Sequence, residues 1–586
     1  MKQLISHQLV KYLEGRGVEY LFGLCGHTNI AVLAALKGST IKFVNTRHEQ
    51  IAAHIADGYA RAKRTTAVVL SHLGPGLTNA STGVANAALD SIPMVVIAGD
   101  IPSHYYGKHP HQEVNLHSDA SQSEIYRPFV KRVWRVERPD LFPEIIEKAF
   151  QLAESGRPGP VLVSVPMDIF SMEVDTALFK RLSGHTRALH KPSMDEPTGE
   201  KIVRALLEAK NPLIYAGGGI ILAGAADELR EFATHLAIPV AHTLMGKGVL
   251  PDDHPLTLGM TGFWGTKFVN DKCLAADWII GLGTRFAEAD CSSWDTEFTF
   301  SMPPTKLIHI DIDSNEIGRN FPAEIGVVSD LKEALVVLNR VAKKLVPRAR
   351  TNDKLVAEIE SYRTDFVAGN RQHVKSDSFP MRPERILAAV REVLPRDAII
   401  TTDVGWNKNG VGQQFPIYTP GSILTPGGFA TMGFGAPAAI GAKLACPERV
   451  VLALVGDGGF GQNPSVLATA VEQNVPVIWV IMNNFAYGTI AGLQMAHYGT
   501  TIGCVFQKDG APYSPDFAAV ARAYGAEGVQ IKSADEFKSV LSRAVLSGKP
   551  FVIDVAMLNE PVPTAGHWNI NDIYSPGRSV SHVAVP

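Results

Sequence analysis

The stretch LVGDGGFGQN at residues 454–463 joins an apolar run to a carboxylate that stands among glycines. The apolar residues up to Val455 predict a buried strand, and Gly456 to Gly459 predict the turn that ends it. Glycine supplies the backbone freedom of a tight turn, and an aspartate can hydrogen-bond within its own turn. Asp457 by itself therefore indicates a strand end, and the rest of the chain has to show whether it does more.

The next apolar run, VPVIWVIM at residues 475–482, ends in the paired Asn483 and Asn484 after one intervening helix. Parallel strands place their carboxyl ends at a common edge, where ligands bind, so Asp457 and Asn484 are expected to converge. A carboxylate, an amide oxygen, a main-chain carbonyl and phosphate oxygens are ligands that Mg²⁺ accepts. The adjacent glycines and helix N-terminus favour a phosphate. The segment TDVGWN at residues 402–407 is a candidate for a second phosphate loop.

Short apolar strands alternate with helical patterns along all 586 residues, which predicts an α/β protein with doubly wound parallel sheets. Polar stretches at 183–199 and 375–383 divide the chain into three such domains of ordinary size. The predicted boundaries are 1–182, 196–345 and 375–560, followed by a tail at 561–586. The predicted strands are KFVNT, TTAVVLSH, PMVVIAGD and GPVLVSVP in the first domain, NPLIYAGGG, IPVAHT, ADWIIGLG and TKLIHIDID in the second, and DAIITTDVG, RVVLALVGDGG, VPVIWVIMNN and PFVIDVAM in the third.

Composition excludes several classes of function. A formal net charge of -3 gives no sign of a nucleic-acid surface. The five cysteines lie far apart, without a metal-binding pair, and suit a reducing compartment. No apolar run approaches the roughly 18 residues that a membrane span needs. We therefore expect a soluble cytoplasmic protein with a small-molecule substrate.

The spacing of Asp457 and the paired asparagines carries a family resemblance. The triplet GDG, then 24 residues, then NN is similar to the signature of thiamine diphosphate enzymes. The resemblance implies that Asp457 and Asn484 bind Mg²⁺, with the main-chain carbonyl of Ala486 as a third ligand. The residues assigned to cofactor binding in this domain are Gly405, Trp406, Asn407, Met432, Gly456, Gly458, Gly459, Ala486, Tyr487 and Gly488. Among these, Met432 is expected to hold the two cofactor rings in a bent conformation.

A second motif, NTRHEQIAAHIADGYAR at residues 45–61, resembles the segment that carries the catalytic glutamate of this family, here Glu49. A carboxyl group hydrogen-bonded to the pyrimidine ring favours the tautomer that removes the proton from the thiazolium ring, and burial keeps its pKa high enough to share a proton. Without the resemblance, Glu49 would be a residue that complements a helix dipole. The following loop LGPGLTNA at 73–80 is similar to the loop beside the pyrimidine, which assigns Gly74, Pro75 and Asn79 to the cofactor.

The order of the three domains resembles the group of acetolactate synthase, pyruvate oxidase and oxalyl-CoA decarboxylase. The segment HQEVN at 111–115 lies where acetolactate synthases have a Phe-Gln-Glu run. The resemblance makes Gln112 an active-site residue and places His111 where phenylalanine is usual. His111 is then either a proton-transfer residue or a surface histidine.

Two segments depart from acetolactate synthases. After the paired asparagines, IAGLQMAHYGTT at 490–501 lacks a tryptophan that helps to select the second substrate. The candidate pocket residues there are Leu493, Gln494 and His497, with Gln494 also a candidate catalytic residue. The tail TAGHWNINDIYSPGR at 564–578 is either a lid that brings His567 and Trp568 to the pocket or a surface arm.

The leading functional hypothesis is a thiamine diphosphate- and Mg²⁺-dependent carboligase or lyase that acts on a 2-oxo acid. The alternatives are a 2-hydroxyacyl-CoA lyase or oxalyl-CoA decarboxylase-like enzyme with a CoA ester as substrate, and a non-catalytic subunit of the same fold. In relatives the middle domain binds FAD, ADP or nothing, and Gly217 to Gly219 with Arg285 are the candidate contacts. The family also implies at least a homodimer, with a homotetramer expected, because two subunits build each active site.

Overall fold

Each third of the chain forms a six-stranded sheet in which all neighbouring strands run parallel. The computed structural model describes residues 2–118, 120–180 and 190–576. Parts of the predicted linker (183–189) and of the predicted tail (577–586) lie outside these residues. Helices cover both faces of the sheets, and consecutive strand residues such as Val68 and Val69 point into different apolar cores. The predicted class, three doubly wound parallel α/β domains, is confirmed.

The first sheet has the strand order β3-β2-β4-β5-β7-β6, and β1 pairs with β8 as a separate antiparallel ribbon. The strands are β1 (Lys2–Leu4), β2 (Tyr20–Gly23), β3 (Lys42–Asn45), β4 (Ala67–Ser71), β5 (Met94–Asp100), β6 (Val133–Arg135), β7 (Pro160–Pro166) and β8 (Glu173–Asp175). The helices are α1 (Ile5–Gly15), α2 (Ile30–Ala35), α3 (Glu49–Lys63), α4 (Gly74–Leu89), α5 (Ser121–Glu124), α6 (Phe142–Glu154), α7 (Met167–Phe170) and α8 (Thr176–Lys180).

The second sheet has the order β11-β10-β9-β12-β13-β14. Its strands are β9 (Pro212–Ala216), β10 (Val240–His242), β11 (Thr257–Met260), β12 (Trp278–Leu282), β13 (Lys306–Asp311) and β14 (Ala323–Val328). Its helices are α9 (Glu196–Glu208), α10 (Gly219–Ala223), α11 (Ala226–Leu236), α12 (Lys267–Leu274), α13 (Leu331–Leu345) and α14 (Asp353–Val374). The 22-residue helix α14 buries only Ile359, so most of its surface faces solvent or lies at the domain boundary.

The third sheet has the order β16-β15-β17-β18-β22-β21, with β19 and β20 forming a small antiparallel ribbon. The strands are β15 (Ile399–Thr402), β16 (Ile423–Leu424), β17 (Val451–Gly456), β18 (Ile478–Asn483), β19 (Gln507–Lys508), β20 (Ala511–Pro512), β21 (Glu527–Gln530) and β22 (Phe551–Ala556). The helices are α15 (Pro383–Val393), α16 (Trp406–Gln414), α17 (Gly435–Ala445), α18 (Asp457–Phe460), α19 (Val466–Glu472), α20 (Gly488–Tyr498), α21 (Phe517–Ala523), α22 (Ala534–Ser547) and α23 (Ile570–Tyr574).

The first and third domains share one apolar core. Helix α3 packs against α17 so closely that Gly58 lies directly on the backbone of Ala438. Side chains from both sheets and both helices, among them Val69 and Ala453, belong to the same buried cluster. The packing brings the carboxyl-end loops of the two domains into a single rigid framework. Among the described residues, no helix is both long and apolar enough to cross a membrane.

A buried ion network joins the same two domains. The Arg61 guanidinium donates to the carboxylates of Asp57 and Asp90, and also to the Thr425 carbonyl oxygen at 3.1 Å. Asp90 in turn accepts the backbone N–H groups of Gly427 and Gly428, both at 2.8 Å. Burial alone would raise the pKa of Asp90, but Arg61 and these amides lower it below its usual value. The network therefore holds the segment that leads to Met432.

We expect Arg61→Met to lower the free energy of unfolding by about 3–5 kcal/mol, because it leaves two buried carboxylates without their cation. Thermal or urea unfolding measures the loss. The matched control is Arg47→Met, which removes an exposed ion pair with Glu472 and should lower stability by about 1 kcal/mol or less. Equal stability changes in the two variants would contradict a structural role for the buried network.

Candidate active site

Two neighbouring strand ends in the third domain bring three oxygen atoms together. Strands β17 and β18 pair in parallel with Gly456 opposite Met482, so Asp457 and the paired asparagines follow at the same edge. The Asn484 side-chain oxygen lies 3.0 Å from Asp457 Oδ1 and 3.0 Å from the main-chain oxygen of Ala486. The three residues proposed as metal ligands thus form one cluster.

In this orientation Asn484 turns an oxygen toward Asp457 Oδ1 and the Ala486 carbonyl, whereas the reversed amide would place its nitrogen there as a donor to both. The Asn484 amide nitrogen donates to Asn559 Oδ1 at 2.9 Å, which turns its oxygen toward the two other acceptors. Two hydrogen bonds favour the reversed amide when no cation is bound, and a cation among the oxygens would select the oxygen-inward orientation. An octahedral Mg²⁺ with bonds of about 2.1 Å separates adjacent ligands by about 3.0 Å. The donor set and its spacing therefore fit Mg²⁺.

The burial and the pKa of Asp457 also fit a bound cation. Its carboxyl group is buried, and Oδ2 has no hydrogen-bond partner within the described part of the chain. Burial raises the pKa of Asp457 to about 7. A buried carboxylate without a positive partner is destabilised, and a bound cation would supply that partner. The described residues contain no cluster of three or more His, Cys, Asp or Glu side chains suited to a metal, so this site depends on amide and carbonyl oxygens.

Asp403 organises the loop that follows β15. Its carboxylate accepts three backbone N–H groups, those of Val404 at 2.8 Å, Gly433 at 3.1 Å and Gly435 at 2.9 Å. The Asp403 amide is itself bonded to Asn407 Oδ1 at 2.9 Å. Sequence reasoning did not select Asp403, although a polar residue at a strand end is the same signal that selected Asp457. It ties the loop at 403–407 to the segment containing Met432.

The other proposed cofactor residues of this domain lie around these loops. Gly405 has a φ of 117°, a backbone conformation that favours glycine. Helix α16 begins at the next residue, Trp406. A Cβ atom at Gly458 would lie 2.6 Å from the Tyr487 ring and 3.4 Å from the terminal carbon of Met432. The structure therefore brings Met432, Gly458 and Tyr487 together at the edge of the third sheet where the strands have their carboxyl ends. Gly456 and Gly459 flank Asp457 in the chain, and Gly488 lies beside the Asn484 amide.

Glu49 lies at the start of α3, at the carboxyl edge of the first sheet. Its side chain is 5% exposed, and Oε2 accepts the Asn79 amide N–H at 3.0 Å. A Cβ atom at Gly76 would lie 3.4 Å from Glu49 Oε1, so α4 packs closely against the carboxyl group at this glycine. Asn79 and the Gly74-Pro75 turn that begins α4 thus lie next to Glu49, as the proposed pyrimidine site requires.

Gln112 reaches the same loop from the segment after β5. Its carbonyl oxygen lies against Gly74, where any Cβ atom would overlap with it. Its side-chain oxygen bonds to His72 Nε2 at 2.8 Å. His111 is exposed and its ring lies 6.4 Å from that of His27. Both candidates therefore lie at the Glu49 side of the fold, with Gln112 in direct contact with the Gly74 loop.

Comparison with known proteins agrees with this geometry. Models of the thiamine pyrophosphate enzyme family match in three places: the N-terminal TPP binding domain at 4–122, the central domain at 200–338 and the C-terminal TPP binding domain at 403–555. Together they cover more than half of the chain. The chain belongs to the thiamine pyrophosphate enzyme family. The resemblance found in the motifs around Glu49 and Asp457 is confirmed.

Relatives within this family resemble the chain over nearly its whole length. A probable acetolactate synthase large subunit of Methanocaldococcus jannaschii is 36% identical, with 94% of this chain and 91% of the relative aligned. An acetolactate synthase of Arthrospira platensis is 34% identical over 96% of both chains. The acetolactate synthase large subunit of Haemophilus influenzae is 33% identical over 95% of both chains. The similarity therefore extends over all three domains.

For a thiamine pyrophosphate enzyme, the two residue sets have separate tasks. The oxygen cluster at Asp457, with the loops at 403–407 and 456–459, has the chemistry to hold a metal and a diphosphate. The Glu49 and Asn79 pair has the chemistry to hold the pyrimidine ring. In the described part of one chain, no hydrogen bond links the two sets. The cofactor itself would provide the electron sink for carbon–carbon chemistry.

Two pocket candidates after the paired asparagines have other partners. The Gln494 side chain bonds to the backbone of Ile502, accepting its N–H at 2.6 Å and donating to its carbonyl at 3.2 Å. Its amide therefore fixes the following loop, and a catalytic role for Gln494 stays a prediction. His497 is buried, and both ring nitrogens are bonded, to Ser575 at 2.8 Å and Asn571 at 3.1 Å. It holds the tail, and Leu493 remains a partly buried candidate for the pocket wall.

The tail lies across two domains. The Trp568 ring packs against Phe263 and Trp264 of the middle domain, with centroids 5.1 and 5.8 Å apart. His567 stacks on Phe298 at 5.3 Å. Helix α23 then contacts α20 through His497. These contacts bridge α20 and the middle domain and do not involve Glu49 or Asp457, so the lid and the surface arm both stay predictions.

We expect His497→Phe to loosen the tail, because the substitution keeps a ring against Tyr574 but removes two hydrogen bonds. Two such bonds are worth about 1–3 kcal/mol, which corresponds to a rise of about 5- to 150-fold in chymotrypsin cleavage at the tail. The matched control is His7→Phe at an exposed position of α1. Unchanged cleavage in His497→Phe would show that the ring contacts with the middle domain hold the tail by themselves.

The candidate nucleotide loops of the middle domain close on each other. The Gly219 N–H donates to the Gly283 carbonyl at 3.1 Å, at the carboxyl ends of β9 and β12. The two strands are neighbours at the point where the strand order reverses, which is where such sheets bind ligands. Arg285, a candidate nucleotide contact, donates instead to the Leu89 carbonyl at 2.8 Å and so ties the middle domain to the first.

Proposed function

We propose that this chain is a thiamine diphosphate- and Mg²⁺-dependent carboligase that decarboxylates a 2-oxo acid and joins the remaining fragment to a second carbonyl compound. Its full-length similarity to proteins named acetolactate synthase supports this reaction. Two observations carry the proposal: the oxygen cluster of Asp457, Asn484 and Ala486, which fits a cation, and the buried Glu49 bonded to Asn79.

The residues have distinct roles in this proposal. Asp457, Asn484 and the Ala486 carbonyl hold Mg²⁺, and the glycine turns beside them present backbone N–H groups to phosphate oxygens. Glu49, oriented by Asn79, exchanges a proton with the pyrimidine ring. Met432 and Tyr487 supply apolar surface between the two ends of the site. The tail excludes water from above, which favours charge development in the pocket.

A substrate screen tests the reaction. The purified protein, supplied with thiamine diphosphate and Mg²⁺, is incubated with 2-oxo acids singly and in pairs, and CO2 release and ligation products are followed by carbon-13 NMR. We expect CO2 and a ligated 2-hydroxy-3-oxo acid. Cleavage of 2-hydroxyacyl-CoA esters without CO2 release from any 2-oxo acid would overturn the proposal in favour of the CoA-ester alternative.

We also propose a homodimer as the minimal active unit, with a homotetramer as its expected assembly. The support is that no hydrogen bond joins Glu49 to Asp457 among the described residues of one chain, whereas the family implies that they serve one cofactor. Co-expression of Glu49→Gln and Asp457→Asn chains tests it. Random pairing gives half mixed dimers with one intact site each, so about a quarter of wild-type activity should return. Activity no higher than that of either parent variant would contradict a shared site.

For the middle domain we propose a nucleotide site, for FAD or ADP, at the edge formed by the loops at 217–219 and 283–285. The support is the reversal of strand order between β9 and β12 and the fit of glycine turns to phosphates. A yellow absorbance near 450 nm in the purified protein would identify FAD, while saturable ADP binding without colour would favour the CoA-ester enzymes.

The five cysteines are all free thiols, which supports the expected cytoplasmic location.

A further inference from the structure

Three histidines meet at the ligand-binding crevice of the first sheet. The rings of His27 and His72 lie 4.6 Å apart in an edge-to-face arrangement, and His111 lies 6.4 Å from His27. They follow β2, β4 and β5, which are adjacent strands, and Glu49 follows β3. Because the strand order reverses between β2 and β4, His27 and His72 lie where such sheets bind their ligands.

His72 is the centre of a hydrogen-bonded chain. Thr28 Oγ1 lies 2.7 Å from His72 Nδ1, and Gln112 Oε1 lies 2.8 Å from His72 Nε2. Since the Gln112 oxygen can only accept, Nε2 carries a proton. The Thr28 hydroxyl can donate to a neutral Nδ1 or accept from a protonated one. The two hydrogen bonds therefore hold the His72 ring in one orientation.

The cluster adjoins Glu49 and opens outward. A Cβ atom at Gly76 would lie 3.0 Å from His72 Cβ and 3.4 Å from Glu49 Oε1, so both side chains flank one glycine. His72 is 7% exposed, whereas His27 is exposed. The pKa of His27 is lowered by the partial desolvation of its ring and by the nearby His72 and His111. His27 thus presents a titratable ring at the mouth of the crevice, supported from behind by His72.

We propose that His27 gives a proton to the oxygen of the second carbonyl substrate, and that His72, held by Thr28 and Gln112, positions the His27 ring. The inference rests on the proposed carboligase function. As the new carbon–carbon bond forms, the carbonyl π pair moves to its oxygen, and that oxygen takes the proton from His27. Joining two 2-oxo acid anions with loss of one CO2 consumes one proton, which water returns to His27.

The variant His27→Gln separates this step from the earlier chemistry. CO2 release, measured with ferricyanide as an oxidant that replaces the second carbonyl compound, should stay within about threefold of wild type. Ligation should fall about 100-fold, and its pH profile should lose one ionisation. The matched control is His117→Gln, an exposed histidine of the segment containing His111, which should leave both rates unchanged.

A second readout uses the protein without cofactor. Diethyl pyrocarbonate modifies neutral imidazole, so the pH dependence of His27 labelling, read by peptide mass spectrometry, reports its ionisation. We expect His72→Gln to move the midpoint of that labelling curve to higher pH, because a neighbouring positive charge is removed. His117→Gln should leave the midpoint in place.

The outcomes separate the two proposals. Equal losses of CO2 release and ligation in His27→Gln, or no loss of ligation, would overturn the proton-transfer role. An unmoved labelling midpoint in His72→Gln would overturn the positioning role. A wild-type protein that releases no CO2 from any 2-oxo acid would overturn the proposed function and this inference with it.

Discussion

Replacing Glu49 by glutamine should reduce turnover by about 10²- to 10⁴-fold, the range attributed to a well-placed acid or base. The glutamine keeps the shape of the side chain and can still accept the Asn79 N–H, so the fold should be unaffected. It cannot exchange a proton with the pyrimidine ring. Because the metal and diphosphate contacts come from the third domain, thiamine diphosphate should still bind.

The measurement is hydrogen–deuterium exchange at C2 of bound thiamine diphosphate, followed by proton NMR after rapid acid quench. We expect exchange in Glu49→Gln to approach the rate of the free cofactor. The matched control is Glu144→Gln on the exposed face of α6, where only a loose pair with Lys148 is lost. Wild-type exchange in Glu49→Gln would contradict the proposed role of Glu49.

Replacing Asp457 by asparagine should abolish Mg²⁺-dependent binding of thiamine diphosphate. The change removes the only charged group of the oxygen cluster. The new side chain can direct its amide oxygen or its N–H group to the metal position, and in neither case does it supply a negative charge. Loss of an outer-shell partner already costs about 10- to 100-fold in metal affinity, and losing the ligand itself should cost more. Turnover should fall in parallel, because the diphosphate is then no longer held.

Calorimetric titration with thiamine diphosphate, in Mg²⁺ and again in EDTA, measures this effect. In the wild type, EDTA should weaken binding strongly, whereas Asp457→Asn should bind weakly in both buffers. The matched control is Asp554→Asn, a buried carboxylate that accepts from Asn483 at 3.1 Å and does not belong to the oxygen cluster. An Asp457→Asn protein with wild-type affinity and wild-type sensitivity to EDTA would contradict the metal site.

The strands missed from the sequence are mostly edge strands. The central strands of each sheet were predicted from their apolar runs, whereas β6, β11, β14, β16 and β21 were not. Strand β14 alternates between buried and exposed residues, and β21 has no fully buried residue. An edge strand is covered on fewer sides and pairs with one neighbour, so its sequence needs no continuous apolar run.

Side-chain partners were less predictable than strands. Gln494 and His497 follow the paired asparagines closely, which suggested a pocket, yet their partners are Ile502 and the tail. Conversely, the bond between Thr28 and His72 spans 44 residues, and that between His72 and Gln112 spans 40. Such contacts leave no local pattern, because they depend on which strands become neighbours.

The residues around LVGDGGFGQN did carry enough information to predict a strand that ends in a ligand-binding turn. Apolar periodicity and glycine act locally, within a few residues, so they can be interpreted without knowing the fold. Folding decided which of the paired asparagines is available to a metal. Asn483 bonds to Ser514 and Asp554, while Asn484 turns its oxygen toward Asp457. That difference depends on the pairing of β18 with β22 and on the turn at Phe485, which only the assembled sheet provides.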